Sequence, residues 1–192
     1  RGGRFAAVPD VVEVVRSERP QVGHLVRRFF GALSTAAPSV EDAAWADAVL
    51  TGPERAAFAE MANHDRRHAI GVARRALAAL GPDADDDVAA AALLHDVGKV
   101  PAGLGPVGRA RATVRILLLG RDRVRRGVAG GDRSRRVAIY ADHAGLGAAG
   151  LRARGARPRV AGWAEVHHDP ARWSASGFDA RTTAALAAAD DD

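Results

Sequence analysis

Alanine takes 44 of the 192 positions in this chain, whereas Phe, Trp and Tyr together take nine. Alanine is the strongest helix former, and it gives a strand neither the branched nor the aromatic surface that stabilises pairing. The composition therefore points to helices, and the apolar pattern agrees. Residues recur at three- and four-residue spacing along most of the chain, with no convincing run of alternation. The expected architecture is all-α: one helical domain over residues 40–192 and a short N-terminal extension over residues 1–39. That extension carries one helix at 22–33, marked by Val22, Leu25, Val26, Phe29 and Phe30. The length suits one domain with a real core. Hydrophobic residues are 47% and charged residues 27%, which excludes disorder across the whole chain.

Other classes fall away as quickly. No apolar run approaches the roughly 20 residues of a membrane helix; the longest, 116–119, lies between Arg115 and Arg121. There is no Cys, so disulfide scaffolds, thiolate zinc sites and cysteine nucleophiles are excluded. A cytoplasmic protein without a membrane partner is expected.

Local punctuation places the helices. Pro38-Ser39 opens one that runs to Leu50. Thr51-Gly52-Pro53-Glu54 reads as a capping box with Pro in the first turn. A helix is expected over 63–80, ended by Gly81-Pro82, with Ile70, Ala73, Leu77 and Leu80 on one face. Asp85, Asp86 and Asp87 crowd the start of the next, where the helix dipole favours negative charge. It passes through Leu94 and stops near Gly98. Beyond it come a helix at 107–119, a mobile loop around 127–131, and helices at 134–143, 146–154, 158–168 and 179–190.

Six of the seven His fall between residues 64 and 168. Taken singly, a helix His is usually a surface residue or a hydrogen-bonded core residue. Their register argues otherwise. Val88, Ala91, Ala92 and His95 follow i, i+3, i+4, i+7 spacing, so His95 shares the apolar face. Val160, Trp163, Ala164 and His167 repeat the pattern. Ile139, His143 and Leu146 share a face if one helix continues through them, as do His68 with Val72 and Asp190 with Leu186. Burying that many polar groups without partners costs about 1–3 kcal/mol each. A shared metal site removes the cost, because neutral imidazole and carboxylate become ligands. A metal-free web of His–Asp hydrogen bonds is the alternative. Adjacent His95 and Asp96 point about 100° apart on a helix, so the carboxylate can bridge to a second ion. A nitrogen and oxygen ligand set suits Fe, Mn, Co, Ni or Zn.

These residues resemble a known family. His68, His95-Asp96 and Asp190 match the H…HD…D signature of the HD superfamily of metal-dependent phosphohydrolases. The string Ala92-Leu93-Leu94-His95-Asp96-Val97-Gly98-Lys99 resembles its central motif in the HD-x-GK form. The likeness runs from about residue 64 to 192. His143 and the pair His167-His168 resemble the additional ligands of branches with two or three metals, among them the HD-GYP proteins and the diadenosine tetraphosphate hydrolases. Where HD-GYP proteins have His-His-Glu and Gly-Tyr-Pro, this chain has His167-His168-Asp169 and Gly177-Phe178-Asp179, and His64 replaces a Glu.

The resemblance implies an HD-type bundle holding two divalent transition metals on His68, His95, Asp96, His143, His167, His168 and Asp190. It implies hydrolysis of a phosphoester or phosphoanhydride of a nucleotide-like substrate by a metal-bridged hydroxide. Asp96 and Lys99 are the expected catalytic residues. Lys99 is the only Lys among 28 basic residues; it either meets a substrate phosphate or is a surface Lys. Asp169 either supports a His ligand or caps a helix, and His64 is either a further ligand or exposed. His24 is expected to be structural. The walls of the substrate pocket are expected from 121–131 and 169–178.

Two further functions compete. One is a catalytically weak or inactive HD module that binds a nucleotide or a protein partner. The other is nucleic-acid binding through the basic middle, from Arg66-Arg67 to Arg135-Arg136. That middle also reads as the solvated surface of an Arg-rich protein, and no aromatic interleaving or known motif supports the nucleic-acid reading. A phosphorylated small molecule or nucleotide is the expected partner.

Overall fold

The computed structural model describes residues 36–191, and they are all helix and turn, with no strand among them. The helix expected at 22–33 and His24 lie outside the described residues. A central helix explains the arrangement. Helix α4, Asp86–Leu94, is buried at every position from Val88 to Leu94. Its run of four Ala keeps the cylinder thin, so neighbours approach it from all sides. Asp85 caps it by accepting from the Val88 N–H at 3.0 Å.

Around it pack α1 (Val40–Val49), α2 (Gly52–Ala59), α3 (Asn63–Leu80), α9 (Pro158–Val166) and α10 (Ala180–Asp191). The buried residues Ile70, Val72, Leu93, Leu94, Leu151, Trp163 and Leu186 belong to the one main core. Leu77 is only partly buried at its edge. As expected, Ser39 caps α1, with its hydroxyl accepting from the Asp42 N–H at 3.0 Å. Glu54 closes the start of α2, accepting from the Thr51 N–H at 2.9 Å.

A second layer crosses beside this core. Helices α5 (Pro106–Leu119), α6 (Arg121–Arg125) and α7 (Asp132–Ala141) enclose a small cluster of Ala112, Val124, Val137 and Ala141, with Leu104, Ile116 and Tyr140 against it. The expected loop at 127–131 is instead mostly a 3₁₀ turn, Arg126–Ala129, closed by the Gly130 N–H on the Gly127 carbonyl at 3.0 Å. Val124, buried beneath α7, anchors the segment.

The helix expected at 134–143 also differs. It ends at Ala141, where the Asp142 N–H closes onto the Ala138 and Ile139 carbonyls, and a new helix α8 (His143–Ala153) begins. The break resets the register, so Ile139, His143 and Leu146 do not share a buried face. His143 is buried, but Leu146 is exposed.

Candidate metal centre

Most of the site residues stand where a helix ends or begins. His95 follows the last residue of α4, and Asp96 opens the 3₁₀ turn Val97–Ala102. His143 is the first residue of α8, and His167-His168 follow α9. His68 lies in the first half of α3 and Asp190 near the end of α10. Helix ends leave carbonyls without an intrahelical partner, and three rings use them alike. The Nδ1 of His95 meets the Ala92 carbonyl at 2.8 Å, that of His143 meets Tyr140 at 2.8 Å, and that of His167 meets Ala164 at 2.9 Å. A ring that donates through Nδ1 presents the lone pair of Nε2. Three imidazoles are thus aimed the same way, by backbone three residues upstream.

The turn after His95 is held by two glycines. A Cβ on Gly98 would press into the His143 carbonyl and come within 2.6 Å of the Gly147 nitrogen, while one on Gly147 would come within 2.9 Å of the Gly98 nitrogen. Only glycine lets this turn lie flat on α8. That contact sets Asp96 beside His143.

Two groups of ligand-type atoms result, each within 4.8 Å of one another: Asp96, His143, His167 and His168, and then His68, His95 and Asp190. Asp96 faces both. Its Oδ1 lies 3.4 Å from His143 Nε2 and 3.9 Å from His167 Nε2, and its Oδ2 lies 3.3 Å from His95 Nε2. The Asp190 Oδ1 is 2.9 Å from His68 Nε2 and 3.5 Å from His95 Nε2. The Nε2 atoms of His143 and His168 are 3.0 Å apart. Ligands about 2.1 Å from a common ion are about 3.0 Å apart at a right angle and about 3.4 Å apart at a tetrahedral angle, so these separations suit shared cations. His95 Nε2, His167 Nε2 and Asp96 Oδ1 are buried without a hydrogen bond. Such atoms cost about 1–3 kcal/mol each unless something else satisfies them. The donor set therefore fits divalent transition metal ions.

The charges respond to one another. Burial alone would push His95 down, but the carboxylates of Asp96 and Asp190 prevail and raise it to about 10. Burial would push Asp96 up, but Lys99 and His95 hold it well below the usual carboxylate range. Asp190 is likewise lowered, against burial, chiefly by the charge of His95. Burial, and then the neighbouring His95 and His168, push His167 well down. His168 is exposed as a residue, but its ring centroid lies 3.9 Å from that of His167 with the planes tilted by 42°, and burial lowers it to about 4.

Lys99 forms an ion pair with Asp96 Oδ2 and is half-buried beside it, rather than free on the surface. His64 belongs to neither ligand group; it sits against Asp65, its Nε2 3.3 Å from Oδ1. Asp169 neither orients a ring nor caps the following turn through its side chain; it lines a cleft with His168.

Two clefts meet at His168. One, of about 270 Å³, is lined by His95, His167, Asp190, Trp163, Trp173 and Pro170. The other, of about 540 Å³, has Arg121, Arg125, Arg152 and Arg172 on its walls. The expected walls 121–131 and 169–178 thus each contribute in part, joined by α8 and α9. Two positioning residues escaped the sequence reading. Arg75, seven residues from His68 and so on the same face of α3, grips the Ala189 carbonyl at 2.7 and 3.0 Å, next to Asp190. Arg109 makes a two-pronged pair with buried Asp65, one contact at 2.8 Å. The i+7 spacing was the signal for Arg75; nothing local marked Arg109. Comparison with protein-family models, with curated proteins and with solved structures gives no match.

Proposed function

We propose that this chain is a metal-dependent phosphohydrolase of the HD type, cleaving a phosphoester or phosphoanhydride of a nucleotide-like substrate. The observation that carries the reading is the convergence of seven ligand-type residues from five segments of the chain into two groups that share Asp96. His68, His95 and Asp190 would hold one divalent ion. Asp96, His143, His167 and His168 would hold another. Fe, Mn, Co, Ni and Zn all suit the donors. When bound, such ions polarise a phosphoryl group and acidify water.

The chain's own groups do the rest. Carbonyls at Ala92, Tyr140 and Ala164 fix the tautomers of three rings. Lys99 holds one oxygen of Asp96 and lies within reach of charge that develops on a phosphoryl oxygen. Trp173, partly buried with its indole N–H on the His167 carbonyl at 3.2 Å, gives the smaller cleft a flat apolar wall suited to a base. A nucleotide-like small molecule is thus the proposed partner, and the cytoplasm the proposed location; the chemistry requires neither nucleic acid nor membrane. No described helix is long and apolar enough to cross a membrane.

The test is a phosphoester and nucleotide panel with Mn- or Fe-loaded protein. Turnover is expected for some member and should be lost in His95→Ala and Asp96→Ala. Hydrolysis that survives both changes rejects the site. Bound metal with nucleotide binding but no turnover would favour a binding module.

A further inference from the structure

We infer that the outer face of α5 docks on an anionic lipid surface. The inner face of this helix is already used: Ala112 and Ile116 close the smaller core, and Arg109 holds Asp65. The opposite face is apolar and open. Leu117 is 79% exposed and Leu118 78%, with Val107 and Val114 each more than half exposed. Val107, Val114 and Leu118 fall at i, i+7 and i+11, and Leu117 lies beside them, so the four form one stripe. A contiguous stripe of large apolar side chains signals a partner, unlike a scattered exposed Leu.

Charge decides which partner. Between residues 106 and 126 there are seven Arg and one acid, Asp122. Arg111 and Arg115 are exposed on the same helix, and Arg123 and Arg126 are exposed just beyond it. Residues 1–35 carry six Arg against three acids, so they would bring like charge to this face. A second copy would bring the identical charge. An anionic bilayer accepts both parts of the surface, the Leu and Val side chains in its outer acyl region and the guanidinium groups at its headgroups. A helix lying in the interface needs no spanning length.

The experiment is co-sedimentation of the full chain with vesicles of phosphatidylcholine alone and of phosphatidylcholine mixed with phosphatidylserine. Binding to the mixed vesicles, weakened by salt, is expected. The Leu117→Glu, Leu118→Glu double variant should bind at least about tenfold more weakly with an unchanged melting temperature, and Arg111→Ala, Arg115→Ala should also bind less. No sedimentation with the mixed vesicles, or equal binding to both kinds, overturns the proposal. So does a double variant that melts lower, which would show the stripe covered by residues 1–35. So does one that changes a dimer to a monomer, which would show it covered by a second copy. None of these readings depends on hydrolysis.

Discussion

Asp96 is the residue on which both halves of the candidate centre depend, because each carboxylate oxygen faces a different set of imidazoles. His68 touches only the half completed by Asp190. The two residues should therefore differ in metal stoichiometry. Asp96→Ala should lose both ions, while His68→Ala should keep the one held by His143, His167 and His168. Elemental analysis of anaerobically purified variants reads this directly; equal losses would mean that Asp96 does not bridge. Much at this scale was legible. His95 and His167 could be placed by helical register alone, since both close a buried face. His143 could not, because its place depends on the break between two helices at Asp142 and on Gly98 meeting Gly147. The second is a contact between segments more than forty residues apart, and no local pattern records it.

At the scale of elements, the same glycine contact makes a prediction. Gly98→Ala puts a methyl group into backbone atoms of α8 rather than into a yielding side chain. Overpacking typically costs about 1–3 kcal/mol, and here the turn must also lift and carry Asp96 from His143. Thermal melts should show a fall of several degrees, with metal content reduced alongside; a variant of native stability and loading would refute the close approach.

A second joint ties α1, α2, α4 and α9 together. Glu54 is fully buried and accepts from the Arg157 N–H at 3.0 Å and from its guanidinium at 2.7 Å, while Arg157 also reaches the Val49 carbonyl and Asp87. Burial would raise Glu54, but the bonds from Arg157 and Thr51 outweigh it and lower it to about 2. A depressed carboxylate stabilises the fold fully above its unfolded value near 4.5 and loses that contribution as pH falls through about 2. The shift corresponds to about 3 kcal/mol. Glu54→Gln should melt lower at pH 7 and lose part of the acid dependence between pH 5 and 2, which melts across that window would reveal. The sequence disclosed the capping half of this joint, Thr51 to Glu54, because it is local. Arg157 lies more than a hundred residues away, so the ion pair was invisible.

For the whole molecule, the centre acts as a brace between α3, α4, α8, α9 and α10, none of which is joined to all the others by backbone. In the structure, that place is held together by His–Asp contacts and by Lys99. His95, raised to about 10 from an ordinary 6.5, contributes its protonated stability fully below pH 6.5 and loses it as pH rises through about 10. The metal-free protein should therefore become less stable across this range on account of His95. Metal binding has the opposite dependence, since it must displace the proton from His95 and becomes easier as pH rises. Ligand present at about a thousand times its dissociation constant adds about 4 kcal/mol. Melting curves with metal and with a chelator should accordingly separate by several degrees at pH 7 and separate further toward pH 9. His95→Ala should remove much of the separation and its pH dependence together. Coincident curves at every pH would mean that the imidazoles are held by hydrogen bonds alone, and that the bundle needs no ion at its centre.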